Sequence, residues 1–212
     1  NYYLSGFEVN ENNPFLSAKE GVLYNKDQTT LIRCPTGDID GVAALPSTIV
    51  MPDTVSRLED YSLAFSRIPM VMSENLESIG DYAFYFWYAP SVGSLKFNKG
   101  LKVVGEGAFS RAPYVKEIIL PDGLETLGES AFQLSDRLES VVLGYGISEI
   151  KERTFDRSSI LSIVLPESVH TIGENAFNQV GLEQLVIPAS VEKIGSNAFS
   201  ADTLEQITFL GS

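Results

Sequence analysis

Apolar positions along this chain recur in a fixed phrase about every 22 to 25 residues. The phrase opens with a short run alternating at period two, as in Leu182, Leu185, Val186 and Ile187, and closes on a turn former, here Pro188. Alternation bounded by a turn residue predicts a short strand, and proline is tolerated there because no ladder N–H is needed once the strand has ended. The same frame picks Ile160, Ile163, Val164, Leu165 and Pro166, and Val115, Ile118, Ile119, Leu120 and Pro121; looser copies end on Asn98 and Gly144. Next come an aliphatic step, a glycine and an Ala-Phe pair: Leu76, Ile79, Gly80, Ala83 and Phe84, then Leu101, Val104, Gly105, Ala108 and Phe109. The second half returns from Leu124 to Phe132, Val169 to Phe177 and Val191 to Phe199, more loosely from Ile147 to Phe155, and in decayed form from Val55 to Leu63.

Self-similarity at this period predicts a solenoid, in which each unit buries its apolar face only by stacking on its neighbours. The expected coil is mostly β. Its glycine opens a short turn or helix that inserts the small Ala, which lets coils approach, and the Phe, which fills the space between them. A buried aliphatic or aromatic side chain contributes roughly 1.5 to 3 kcal/mol, so several consecutive coils make a sizeable core. The solenoid is expected over residues 47–212, as about seven to eight coils in one continuous domain.

The pattern of strand, proline, aliphatic step, I-G-x-x-A-F resembles the BspA-type leucine-rich repeat family of bacterial surface proteins, over roughly residues 47 to 209. The resemblance implies an α/β-type leucine-rich repeat fold, a right-handed superhelix of strands with short helices or turns. It also implies adhesion to host matrix proteins or to other cells. The chain departs from the better-known leucine-rich repeat, whose strand is followed by an Asn or Cys ladder; here Pro, Gly, Asn or Ser stands in that place. Residues 1–46 differ from the repeats. The stretch from Gly21 to Ile32 reads as two strands around a polar turn at Asn25 to Gln28. It resembles hairpins interspersed among repeats of this family, and is expected to pair with the solenoid and cap its open end, where apolar surface and a strand edge would otherwise be exposed.

Composition narrows the partners. With 44% hydrophobic and 20% charged residues the chain falls in the range of ordered soluble proteins. A formal net charge of −13 argues against nucleic acid or an anionic membrane as partner, since both need clustered Lys and Arg. No apolar run approaches the roughly 18 to 20 residues that cross a bilayer as a helix, so membrane insertion is not expected. The start at Asn1 without Met is compatible with a removed signal peptide, and hence with an extracellular or cell-surface location.

Chemistry is sparse. Cys34 is the only cysteine and His170 the only histidine, so a Cys-based zinc site and a nucleophile–base pair lack their parts, and no metal or cofactor is expected. Cys34 ends an apolar β run and reads as a buried small hydrophobe. The carboxylates follow outward repeat positions, such as Glu77, Glu125 and Glu192, rather than converging on one pocket. The chain therefore reads as non-catalytic.

Two surfaces remain as candidates. Read in register, the central outward strand positions are Val50, Val71, Lys96, Ile119, Val142, Val164, Val186 and Thr208, an apolar β-branched row expected on the concave face. Contiguous exposed apolar surface marks interaction sites, although β-branched residues also suit exposed strands through cross-strand packing alone. The second candidate is Tyr85-Phe86-Trp87-Tyr88, in the longest unit, where Phe84 to Phe109 spans 25 residues. These aromatics serve either protein or sugar recognition, or fold back onto the preceding coil, which lacks the Ala-Phe pair at Ser62-Leu63. The expected function is binding of a protein, host matrix or another surface protein, with a structural spacer and a carbohydrate-binding module as alternatives.

Overall fold

The computed structural model describes residues 4–36, 47–90, 92–200 and 203–211. The boundary expected at residue 46 falls in segment 37–46, outside the described residues. Each coil has three sides: a longer strand, a two-residue step strand and a run of turns.

The step strands stack in parallel. Arg57–Leu58, Ser78–Ile79, Val103–Val104 and Thr126–Leu127 form one ladder, and Glu149–Ile150, Thr171–Ile172 and Lys193–Ile194 form the next. The aliphatic residue points inward in six of these seven steps: Leu58, Ile79, Val104, Leu127, Ile150 and Ile172 are buried, whereas Ile194 of the last step is 43% exposed. The longer strands Gly93–Lys96, Val115–Ile119, Ser140–Val142 and Ser162–Val164 pair in the same way. Ile49–Val50 pairs with Met70–Val71, and Gln184–Ile187 with Gln206–Phe209. Between long strand and step the chain turns on the residue named from the sequence: the Pro121 carbonyl accepts from Leu124 N–H at 3.1 Å and that of Pro166 from Val169 N–H at 3.0 Å.

The third side corrects an expectation. The segment after the glycine is a run of turns, and no helix occurs among the described residues. The fold is a β-solenoid rather than an α/β-type one. In a helix every N–H would bond within its own coil. Here alternate N–H groups leave it: Tyr82, Phe84 and Phe86 donate to the carbonyls of Glu106, Ala108 and Ser110 in the next coil, at 2.7, 2.7 and 3.2 Å. Every fourth residue of the run adopts positive φ, at Tyr82 and Phe86, Ser130 and Leu134, Arg153 and Arg157. A non-glycine residue in this region costs roughly 1 to 2 kcal/mol, and the intercoil hydrogen bonds hold it there.

Inside the turns, the phenylalanines form one continuous stack. Successive centroids from Phe84 through Phe109, Phe132, Phe155 and Phe177 to Phe199 lie 4.8, 5.7, 5.4, 5.2 and 6.1 Å apart, with interplanar angles of 9 to 17°. The spacing follows from the coil rise, since hydrogen-bonded strands lie about 4.8 Å apart. The motif glycine makes that rise possible. A Cβ on Gly128 would stand 2.3 Å from the carbonyl carbon and oxygen of Gly105 in the coil before. Polar ladders cross the coils too: buried Asp156 accepts from Gln133 Nε2 at 2.8 Å and from Asn178 Nδ2 at 2.7 Å.

At the N-terminus, Val22–Asn25 and Thr30–Arg33 pair antiparallel about the polar turn read from the sequence. Asn25 Oδ1 accepts from the N–H groups of Thr29 and Thr30, both at 2.9 Å. Thr30–Arg33 then pairs parallel with Arg57–Leu58. A further strand, Leu16–Lys19, pairs antiparallel with Val22–Asn25 through Glu20 and Gly21, both at positive φ as a tight two-residue hairpin requires.

Candidate functional site

The long-strand side carries the apolar row in the predicted register. Lys96, Ile119, Val142 and Val164 are Cα partners in succession, as are Val50 with Val71 and Val186 with Thr208. Val164 is 83% exposed, Val142 47% and Val186 51%. Ile119 is half-buried. Alternation explains the contrast with their neighbours: Ile118, Val141 and Leu185, one residue before, point inward and are buried. Val142, Val164 and Tyr145 line a shallow depression of about 270 Å³.

The row is not continuous along the solenoid. Strand pairing stops between Met70–Val71 and Gly93–Lys96, and again between Ser162–Val164 and Gln184–Ile187. The first interruption coincides with the 25-residue unit and opens a cleft of about 950 Å³ between Val71–Ser73 and Leu95–Asn98. Asn98 Nδ2 bridges its far end, donating to the carbonyls of Ser73 and Leu76 at 3.3 and 3.0 Å.

The aromatic segment lies on the turn side, and its four residues part company. Trp87 is fully buried. Its ring tilts against Phe84 at 5.0 Å and its Nε1 donates to the Ile68 carbonyl of the preceding coil at 3.2 Å. Trp87 is therefore core rather than partner surface. It occupies the row that holds Ser66, Ala112, Ser135 and Ser158 in other coils, and reaches back into the coil where Leu63 stands in place of a phenylalanine. Tyr85, Phe86 and Tyr88 are half-buried and stay at the surface.

There they join a larger patch that the sequence did not disclose. Tyr61 stacks on Tyr82 at 5.2 Å, Phe65 on Phe86 at 5.8 Å, and Phe86 on Tyr88 at 5.9 Å. Tyr88 meets Tyr114 edge-on at 6.4 Å. Three guanidinium groups lie over these rings: Arg67 over Tyr88 at 5.8 Å, Arg111 over Phe86 at 5.3 Å and Arg137 over Tyr114 at 5.4 Å. The available signal was the repeat itself, since Arg111 follows Phe86 by the same 25 residues that separate Phe109 from Phe84. The Tyr82 hydroxyl donates to Glu106 Oε1, and that bond foremost pushes its pKa up to about 12.

Neither surface assembles a reacting set. Among the described residues no three His, Cys, Asp or Glu side chains converge as a metal site. His170 is exposed, with Nδ1 2.6 Å from the Ser168 carbonyl oxygen. Cys34 is buried with Sγ 3.4 Å from Ser66 Oγ; burial pushes its thiol up to about 12, the opposite of activation.

Comparison with known sequences places this architecture. The BspA type leucine rich repeat region matches residues 46–89 and 85–205, in six copies. The chain belongs to the BspA-type leucine-rich repeat family. No enzymatic family is indicated for this BspA-type chain, and no curated protein matches it in sequence. Its fold is shared with solved bacterial leucine-rich repeat proteins. A leucine-rich repeat protein from Eubacterium ventriosum is 21% identical with a TM-score of 0.63, over 83% of this chain and 52% of that one. The pneumococcal vaccine antigen PcpA is 20% identical with a TM-score of 0.65, over 98% of this chain and 51% of its own. A leucine rich cell surface protein from Faecalibacterium prausnitzii is 16% identical with a TM-score of 0.55, over 92% and 68%. The BspA-type chain thus spans about half the length of the first two.

Proposed function

We propose that this chain is a non-catalytic, extracellular or cell-surface module that binds a protein through its long-strand face. Ile119, Val142, Val164 and Val186 are the contact row, and a host matrix protein or another cell-surface protein is the partner. In this reading residues 47–212 are one right-handed solenoid, and the N-terminal hairpin region, residues 1–46, caps it. The location is suggested by the Faecalibacterium cell surface protein and the pneumococcal antigen, and the family is one of bacterial surface repeats. The observation that carries the reading is the in-register row of exposed valines, because a side chain as open as Val164 gains little from its own sheet and offers apolar area to a partner.

The test is a binding screen of the purified chain against matrix proteins, mucins and glycans, with a Val142→Glu/Val164→Glu variant beside it after circular dichroism shows that it folds. Loss of a protein hit in the variant supports the strand face, since two buried carboxylates would each oppose association. An unchanged hit rejects that face. A second reading is a structural spacer in a longer surface protein, favoured by the half-length coverage of the solved relatives. No protein hit in the screen would select it.

A further inference from the structure

Arginine is scarce in this acidic chain, and three of its seven arginines converge on one patch. Arg57 and Arg153 pair with Glu59 and Glu152. Arg67, Arg111 and Arg137 are exposed and form no ion pair among the described residues, although the chain has 28 carboxylates against 15 cations. Each instead rests over an aromatic ring. A guanidinium that spends its flat face on a ring keeps its edge N–H donors for a planar, bidentate acceptor. The rings beneath exclude water on one side and so strengthen that contact. Arginine and tyrosine together are also the residues enriched where protein interfaces concentrate their binding energy.

We propose that this arginine-capped aromatic patch on the turn side docks a carboxylate-rich segment of a protein partner. Charge selects the occupant: the three free guanidinium groups face a partner of opposite sign, and the one carboxylate bonded within the ring cluster, Glu106, is engaged by Tyr82 at the other end. Ring geometry selects protein over sugar. A sugar platform needs an open ring face, and those of Tyr82 and Phe86 in the middle of the patch are taken. Tyr82 has Tyr61 on one side and lies against Gly107 on the other, where an added Cβ would stand 2.3 Å from its ring. Phe86 lies between Phe65 and Arg111. What points outward is ring edges, hydroxyls and guanidinium donors. This patch and the valine row occupy different sides of the coil, so each can fail without the other.

The probe is a random copolymer of glutamate and tyrosine, titrated against the whole chain by calorimetry, with a lysine–tyrosine copolymer, heparin and polysialic acid as comparison arms. Work at about 0.15 M salt shortens the screening length to about 8 Å, so the local patch rather than the whole-chain charge decides. The expected result is saturable binding of the glutamate–tyrosine copolymer, weakened about tenfold or more in Arg67→Gln/Arg111→Gln/Arg137→Gln, the loss on the order of a removed charge-assisted contact. The triple lysine variant should fall between, because it restores charge without the planar fork. Val142→Glu/Val164→Glu should bind like the unmodified chain. Absence of saturable binding, equal binding by the folded glutamine variant, or preference for heparin, polysialic acid or the lysine copolymer would each overturn the proposal.

Discussion

Replacing Phe132 by alanine probes the stack that joins the coils. Its ring is fully buried and lies between Phe109 at 5.7 Å and Phe155 at 5.4 Å, nearly parallel to both. Burial of such a side chain contributes about 1.5 to 3 kcal/mol, and each ring pair adds about 0.5 to 1.5 kcal/mol. The neighbouring coils are hydrogen-bonded to one another and cannot close the gap, so Phe132→Ala should cost about 3 to 5 kcal/mol. Phe199 supplies the contrast. It is half-buried and has one ring neighbour among the described residues, Phe177 at 6.1 Å, so Phe199→Ala should cost only about 1 to 2 kcal/mol. Urea unfolding followed by far-ultraviolet circular dichroism measures both, and Trp87, the sole tryptophan, reports separately on the N-terminal half. In a nearest-neighbour solenoid the Phe132 variant should also broaden or split the transition, because the coils on either side lose their coupling. Equal costs for the two variants, or a Phe132→Ala cost under about 1 kcal/mol, would refute an energetic role for the stack.

Gly128→Ala should destabilise by about 3 kcal/mol, the upper end for overpacking, because the atoms its Cβ meets are Gly105 backbone and have no rotamer to yield; a thermal midpoint within error of the parent would refute this. Cys34 and Tyr24 bear on alkaline stability. Burial raises both pKa values, that of Cys34 from 9.0 to about 12, so the folded state holds these protons more tightly than the unfolded chain. The contribution of Cys34 is intact below pH about 9 and is lost as pH rises towards about 12. Cys34→Ala should therefore flatten the fall of the urea midpoint between about pH 8 and pH 11, with the Tyr24 part of the slope left in place; an unchanged slope would assign the alkaline loss elsewhere.

Much of the coil was legible because one repeat constrains the next. The row Lys96, Ile119, Val142 and Val164 could be read from the sequence, since the strand alternates at period two and each copy repeats the same frame. The buried phenylalanines and the inward aliphatic steps follow from the same arithmetic. The hairpin at Asn25 was legible from its polar turn, whereas the strand Leu16–Lys19 was missed because its pattern is weak and only the Glu20-Gly21 turn marks it.

Other features depended on contacts between coils, which no single repeat contains. The turns after the glycine carry bulky residues at positive φ, among them Tyr82, Phe86 and Arg111, which local preference disfavours and intercoil hydrogen bonds impose. Trp87 stood in a run of four aromatics with nothing to distinguish it. Its ring went inward against Phe84, where the Ile68 carbonyl of the preceding coil accepts its N–H. Arg67, Arg111 and Arg137 went unremarked in the sequence; stacking coils at about 5 Å laid each over a ring from another unit. The periodic chain thus determined which strand residues face in and which face out, because that depends on each coil's own alternation. The chemistry of its surface was decided only by the tertiary stack, because it arises between coils whose lengths differ by a few residues.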